Sequence, residues 1–386
     1  MLGLFSALGV LFVFQNCSAP LPANLSSSAA STSGTAGTPP VVVPPPPSGP
    51  TWAKGDAFDY STIPAIYQSQ MVQTQITELN YAAYAGLKAI AITSNGLGFV
   101  KLGPAGYTQA EVNKIALDAC FTISRGLPCG LLATGNAFES ASSALPTMFT
   151  QSMNNPTLIT DVPFVRPADA AAKIATYNAG LTPKAIAVSL DGTIFSIANE
   201  ATKPLIDISE AERLVMERCE MGSSRIPCTL FASNSTVVFN GANANRSIVI
   251  DYAQTVLGAR IPGMRASQFA SNIQNVYLPN VNGGQTGAIY ITATGTGGDA
   301  FGAGAASQAL SFCNSNMNDG FACFKYATNK VLEPLLPNLI SYKTGMNLHC
   351  KVVPRQTCAM HLALGCPAGG KYYTYQSGVI ALELCN

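Results

Sequence analysis

Residues 184–200 read KAIAVSLDGTIFSIANE, residues 208–228 read ISEAERLVMERCEMGSSRIPC, and residues 229–239 read TLFASNSTVVF. Alternating apolar residues from Ala185 to Val188 mark an extended run. Asp191-Gly192 supplies a tight turn, because glycine reaches positive φ without steric cost. Thr193 to Ala198 forms a second extended run, so the opening reads as a β-hairpin. Ser209 with Glu212 fits a capping box, in which each side chain satisfies an orphan amide of the first helical turn. Ala211, Leu214, Val215 and Cys219 then share one helical face. Pro227-Cys228 leads into the strand TLFAS, and Val237-Val238-Phe239 offers a further strand. The unit is ββαβ with an optional last strand.

The pattern recurs on both sides of this stretch. Ile63-Pro64, Val162-Pro163 and Ile261-Pro262 stand 99 residues apart. LKAIAITSNG at 87–96 matches PKAIAVSLDG at 183–192, and GAIYITATGTGG at 287–298 is a glycine-rich third version. Thr108 with Glu111 repeats the helix-start signal, while the third helix, AASQALSFC, is weaker. A loop and a helical stretch precede each hairpin. The expectation is an α+β chain of three tandem repeats with antiparallel sheets, at about 51–150, 151–250 and 251–345.

Cysteines follow the same register. Cys120 and Cys129 recur as Cys219 and Cys228, then as Cys313 and Cys323. Each pair joins a helix end to the next strand. The expected disulfides Cys120–Cys129, Cys219–Cys228 and Cys313–Cys323 each close a loop of about ten residues, which constrains the unfolded chain by about 2–3 kcal/mol. Eleven cysteines with no CxxC and no Cys/His cluster at zinc spacing imply an oxidising compartment and no metal.

Residues 1–14 form one apolar run, followed by Gln15-Asn16-Cys17. Residues 18–50 are almost entirely Ser, Ala, Thr, Gly, Pro and Val, ending in VVVPPPPSGP. Such a segment buries no core and reads as a disordered tether, with a coil reach of roughly 30 Å. The start resembles a bacterial lipoprotein: 1–17 as signal segment, with lipid on Cys17 and contact with a membrane through it. The residues before Cys17 are larger than usual for that signal, and the alternatives are a plain secretory signal cleaved near Ala19 or Ala23 or an uncleaved anchor. Without Cys17, ten cysteines remain, an even number.

The tail, 346–386, carries Cys350, Cys358, Cys366 and Cys385. The simplest pairs there are Cys350–Cys358 and Cys366–Cys385. KYYTYQSGVIALEL reads as strands about a turn at Ser377-Gly378, with Tyr373 and Tyr375 on one face.

Chemistry is sparse. Charged residues make up 11% and the net charge is +1, which excludes the basic surface of a nucleic-acid binder. The only histidines are His349 and His361, and His361 in AMHLAL suits a core or edge position. No GxSxG, HExxH or P-loop is present. Gly295, Gly297 and Gly298 fall at the third hairpin turn, where a loose turn explains them better than a phosphate cradle. Lys88 and Lys184 precede equivalent strands, where a lysine guards a sheet edge; Gly287 takes that place in the third copy. No catalytic, cofactor or metal residue is assigned. Asn234 and Asn245 head glycosylation sequons, relevant only in a eukaryotic source.

The segments KAIAVSLDG, SEAERLVMERC and PCTLFASNSTVVF together resemble a repeat of secreted and periplasmic proteobacterial proteins, similar in layout to secreted domains of unknown function of the DUF4189 type. That resemblance implies fold and compartment and brings no catalytic residues. The expected function is a non-enzymatic, cell-envelope-anchored lipoprotein that binds an envelope polymer or protein partner, or plays a structural role. The alternative is a secreted hydrolase acting on envelope polymers, requiring acids such as Glu139, Asp251 and Asp299 to converge.

Overall fold

Three hairpins seed three sheets, and the same few residues shape each one. The turns close through Thr93 N to Leu97 O, Ser189 N to Thr193 O and Thr292 N to Thr296 O, at 2.7, 3.0 and 2.7 Å. Gly96, Gly192 and Gly295 sit in these turns at φ 79°, 92° and 72°. A Cβ at any of them would strike the backbone near Gln68, Phe164 or Gly263, so each turn is pressed against the loop that follows Ile63, Val162 or Ile261. In a computed structural model, the described residues are 50–222, 228–244, 250, 254, 256–292, 294–316 and 323–333, with the backbone of 371–374 and 381–384. Cys17, the tether and Cys350, Cys358, Cys366, Cys385, His349 and His361 lie outside them, as do Asp251 and Asn245.

The first unit contains α1 (Gln70–Glu78), β1 (Lys88–Thr93), β2 (Gly98–Leu102), α2 (Gln109–Ile123), β3 (Cys129–Thr134) and β4 (Ala137–Phe138). The second contains α3 (Pro167–Ala179), β5 (Leu181–Ser189), β6 (Ile194–Asn199), α4 (Ile208–Gly222), β7 (Cys228–Ser233) and β8 (Thr236–Val237). In the third, α5 (Ala266–Gln268), a π-helical stretch (Phe269–Tyr277) and α6 (Leu278–Asn282) run on as one helix. It is followed by β9 (Gly287–Ile291), β10 (Gly297–Phe301), α7 (Ala305–Ser315), β11 (Phe324–Thr328) and β12 (Val331–Leu332). All three sheets are antiparallel and share one strand order: β2-β1-β3-β4, β6-β5-β7-β8 and β10-β9-β11-β12. In the tail, β13 (Lys371–Thr374) pairs antiparallel with β14 (Ala381–Leu384).

Disulfides Cys120–Cys129, Cys219–Cys228 and Cys313–Cys323 tie α2, α4 and α7 to the chain entering β3, β7 and β11, with Cα separations of 6.3, 6.0 and 6.1 Å. The mixed α+β architecture with stapled helices is therefore present. Among the described residues no helix is long and apolar enough to cross a membrane.

Helices and sheets alternate in layers. Val112, Ile115, Ala116 and Ala119 of α2 share one core with Ala89, Ala91 and Phe99 of the first sheet and with Ile186, Val188 and Phe231 of the second. The opposite face of the first sheet is closed by Trp52, Tyr60, Ile63, Val72 and Tyr81. On the far side of the second sheet, Leu214, Val215 and Met216 of α4 pack on Ala185, Ala187, Phe195 and Ile197. Met221 of the same helix joins Ile273, Tyr277, Ile289, Ile291 and Tyr326 of the third unit. Where both faces of a central strand are covered the periodic signal is lost: Lys88–Thr93 shows no alternation of exposure at all, and neither does β5 from Lys184 to Ser189.

One helix start differs from the sequence reading. The cap of α4 is Asp207, whose carboxylate accepts Glu210 N at 2.9 Å, while Glu210 accepts Ile206 N at 2.6 Å. Asp207 and Glu210 are the true counterparts of Thr108 and Glu111, which form the capping box of α2. Ser209 lies inside the helix, and Glu212 accepts from Ser233.

Replacing Cys219 and Cys228 together by serine is expected to lower unfolding stability by about 2–3 kcal/mol through the lost loop constraint. Denaturant unfolding of the oxidised proteins reads this directly; an unchanged midpoint would contradict it.

Candidate functional site

Lys88 starts the central strand β1 and Lys184 is the fourth residue of the central strand β5; neither strand is an edge, so the edge-guard reading is corrected. Their ammonium groups point back at the end of the preceding helical segment. Lys88 Nζ donates to Tyr81 O at 2.5 Å and Tyr84 O at 2.8 Å. Lys184 Nζ donates to Tyr177 O, Asn178 O and Gly180 O at 2.9, 3.0 and 3.0 Å. Each also lies 4.8 Å from the centre of a tyrosine ring, Tyr81 or Tyr177. A lysine with three donors suits a helix end, where carbonyls lack intrahelical partners and the dipole is negative. Burial holds the Lys88 ammonium below the usual lysine range.

The tyrosines complete the joint. Tyr81, Tyr177 and Tyr277 donate their hydroxyls to the carbonyls of Gly135, Asn234 and Asn329 in the β3–β4, β7–β8 and β11–β12 turns. Burial pushes the Tyr177 phenol up to about 12. Gly287 has no room for a lysine: a Cβ there would meet Val281 and the Tyr277 hydroxyl, because the third helix runs on to Asn282. Asn234 uses its side-chain oxygen to accept Lys184 N at 3.1 Å.

One open place among the described residues lies between the second and third units. A cleft of about 500 Å³ is lined by Lys203, Arg218, Gln268, Asn272, the turn and strand from Thr294 to Asp299, and Asn316. Among the described residues, Asp299 is its one carboxylate and no aromatic ring lines it. Burial raises the Asp299 carboxyl above the usual aspartate range, opposed by a bond from its own amide. Arg218 Nε donates to Gly263 O at 3.1 Å, which holds this cation at the wall.

Counting from the turn glycines, Gly298 stands where the first two units carry Phe99 and Phe195, and Asp299 stands where they carry Val100 and Ser196. At Gly298 a Cβ would strike the backbone of α7 at Ala309 and Cys313. The glycines therefore serve close helix–strand approach and a tight turn; the loose-turn reading of 294–298 is corrected. Lys203, Arg218, Gln268, Asn272 and Asn316 carried no signal in the sequence. An acid at the position of Val100 was the available clue.

Of the acids named for hydrolysis, Glu139 and Asp299 do not converge, and Asp251 lies outside the described residues. Glu139 follows β4 in the first unit and pairs with Lys54 at 2.9 Å, while Asp299 lies in the third unit's cleft. Two-carboxylate glycoside hydrolysis needs a second acid facing the first, and the described residues of the cleft lining supply only Asp299. Among the described residues no group of three His, Cys, Asp or Glu side chains is placed to hold a metal ion. No known protein family, curated protein or solved structure matches the chain.

Lys184→Met is expected to lower unfolding stability by about 2 kcal/mol or more, because it leaves buried carbonyls unpaired. A substitution that promoted aggregation without changing stability would restore the edge-guard account. Asp299→Asn tests the cost of the buried charge. Its folded-state pKa is raised, so the folded chain binds this proton more tightly than the unfolded one and the carboxylate costs stability at pH 7. The variant should melt higher than the parent at pH 7, and the gap should close as pH falls below the 3.8 of an ordinary aspartate. A gap independent of pH would sink this assignment.

Proposed function

We propose that this chain is a cell-envelope-anchored, non-enzymatic binding protein built from three tandem copies of one disulfide-stapled module. The observation that carries the binding reading is the polar cleft at the third unit, set on a rigid scaffold and fitted with one carboxylate, two cations and several amides. The copy reading is supported by one strand order and one disulfide position in three units. The resemblance to secreted DUF4189-type domains points the same way.

Location follows from sequence and crosslinks. Three disulfides belong to an oxidising compartment, extracellular or periplasmic. The apolar run before Cys17 and the Ser/Ala/Pro-rich 18–50 segment suit a lipid on Cys17 and a flexible tether to the membrane. A chain with 11% charged residues and a net charge of +1 suits a neutral or zwitterionic envelope partner and not nucleic acid.

Mass spectrometry of the mature protein is expected to show a chain beginning at Cys17 with a lipid adduct. Cys17→Ser should abolish the adduct and move the protein from the membrane fraction to the fluid one. A mature chain beginning at another residue, without lipid, would refute the anchor while leaving the cleft reading intact.

A further inference from the structure

The cleft has a wall that the other two units keep closed: the outer edge of the hairpin's second strand. In the first unit, the outward amide of Val100 donates to Gln75 Oε1 from α1 at 2.9 Å. In the second, the outward carbonyl of Ile194 accepts from Lys173 Nζ of α3 at 3.0 Å. A side chain of the preceding helix thus plugs the edge both times. In the third unit, the helix residues Gln268 and Asn272 line the cleft without bonding to β10.

Register shows which groups are left facing out. Thr292 N donates to Thr296 O, and Gly302 N donates to Thr286 O. Bonded pairs in an antiparallel ladder alternate, so Gly298 and Ala300 face β9, while Gly297 and Asp299 turn their amides and carbonyls to the open edge. Asn316 Nδ2 reaches Gly297 O at only 3.4 Å.

We propose that a short extended peptide adds to β10 as a further strand in this cleft, pairing its backbone with Asp299 and setting a lysine ammonium against that carboxylate. The proposal rests on the binding reading given above and names the occupant. Main-chain pairing supplies affinity in such strand addition, and flanking side chains supply selectivity. At about 3.3 Å per residue, a peptide of about three residues matches the exposed part of the strand. Arg218 and Lys203 on the facing wall suit a carboxylate on the same peptide, so the occupant is zwitterionic and not uniformly basic. The described residues of the lining offer a sugar ring no aromatic surface to stack on.

The test uses the full oxidised chain, immobilised, with pools of free-acid pentapeptides fixed at the centre as lysine, norleucine or N-methyl-lysine. The lysine pool should be retained about tenfold over norleucine, the scale of one charge-assisted hydrogen bond. N-methylation should abolish retention, since it blocks strand pairing. Asp299→Asn should erase the lysine preference with all three disulfides intact, and Lys203→Ala on the rim should weaken retention of the free acids but not of their amides. Equal retention of the N-methylated pool, or a lysine preference that survives Asp299→Asn, would overturn the proposal. Chitotetraose in a parallel arm separates the two readings: if it binds and no peptide does, the cleft is a site but not for a strand. Binding of neither removes both.

Discussion

Helices α2 and α4 are each enclosed between two sheets, and the whole stack depends on that sharing. A helix buried on one stripe can be lost with its own sheet; a helix gripped from both sides couples the units into one body. In α2 the buried side includes Asp118 and Thr122 as well as apolar residues. In α4 the second side is polar: Glu217 accepts Gly263 N at 2.7 Å and Glu220 accepts Ile250 N at 3.3 Å. Arg213 and Arg260 lie 2.8 and 3.2 Å from the Glu217 carboxylate, which is fully buried. A buried carboxylate is tolerable only with such partners.

A second link runs backward along the chain. Arg166 lies over the Tyr107 ring at 4.4 Å and reaches the carbonyl of Gly106 in the preceding unit. At the matching position, Arg265 donates to Ala198 O and Lys203 O at 2.9 and 2.6 Å and pairs with Glu200. Among the described residues no unit precedes the first, and there Tyr67 stands in this place and packs against Phe149 at 5.6 Å. At the other end, α7 buries only Ala305, Ala309 and Cys313, and its outer side is Ser, Gln and Asn apart from Ala306 and the half-exposed Phe312. Stacked folds close in this way, with an outward helix that asks for no further neighbour.

Local features of this fold were readable from the chain. The Asn95-Gly96 and Asp191-Gly192 turns and the cysteine spacings each depend on contacts within about ten residues. What was hidden depends on distant neighbours. KAIAIT and KAIAVS look like half-buried strands, yet both faces are covered, which no alternation of Ala and Ile reveals. Lys88 and Lys184 announce a polar group at a strand start but not the helix carbonyls they meet. The α4 cap was ambiguous in principle, since Asp207 and Ser209 are both good caps and each has a glutamate three residues on. The cleft was hidden because it arises from what the third unit lacks.

The bridges have a bearing on how the chain matures. Each spans only nine or ten residues, and the pairs follow one another along the chain without interleaving. A chain delivered N-terminus first into an oxidising space exposes Cys129 within moments of Cys120, while Cys219 is still on the other side. Short separation gives the near partner a high effective concentration. Correct pairing among these six thiols can therefore proceed in order of arrival, with little call on an isomerase to undo mistakes.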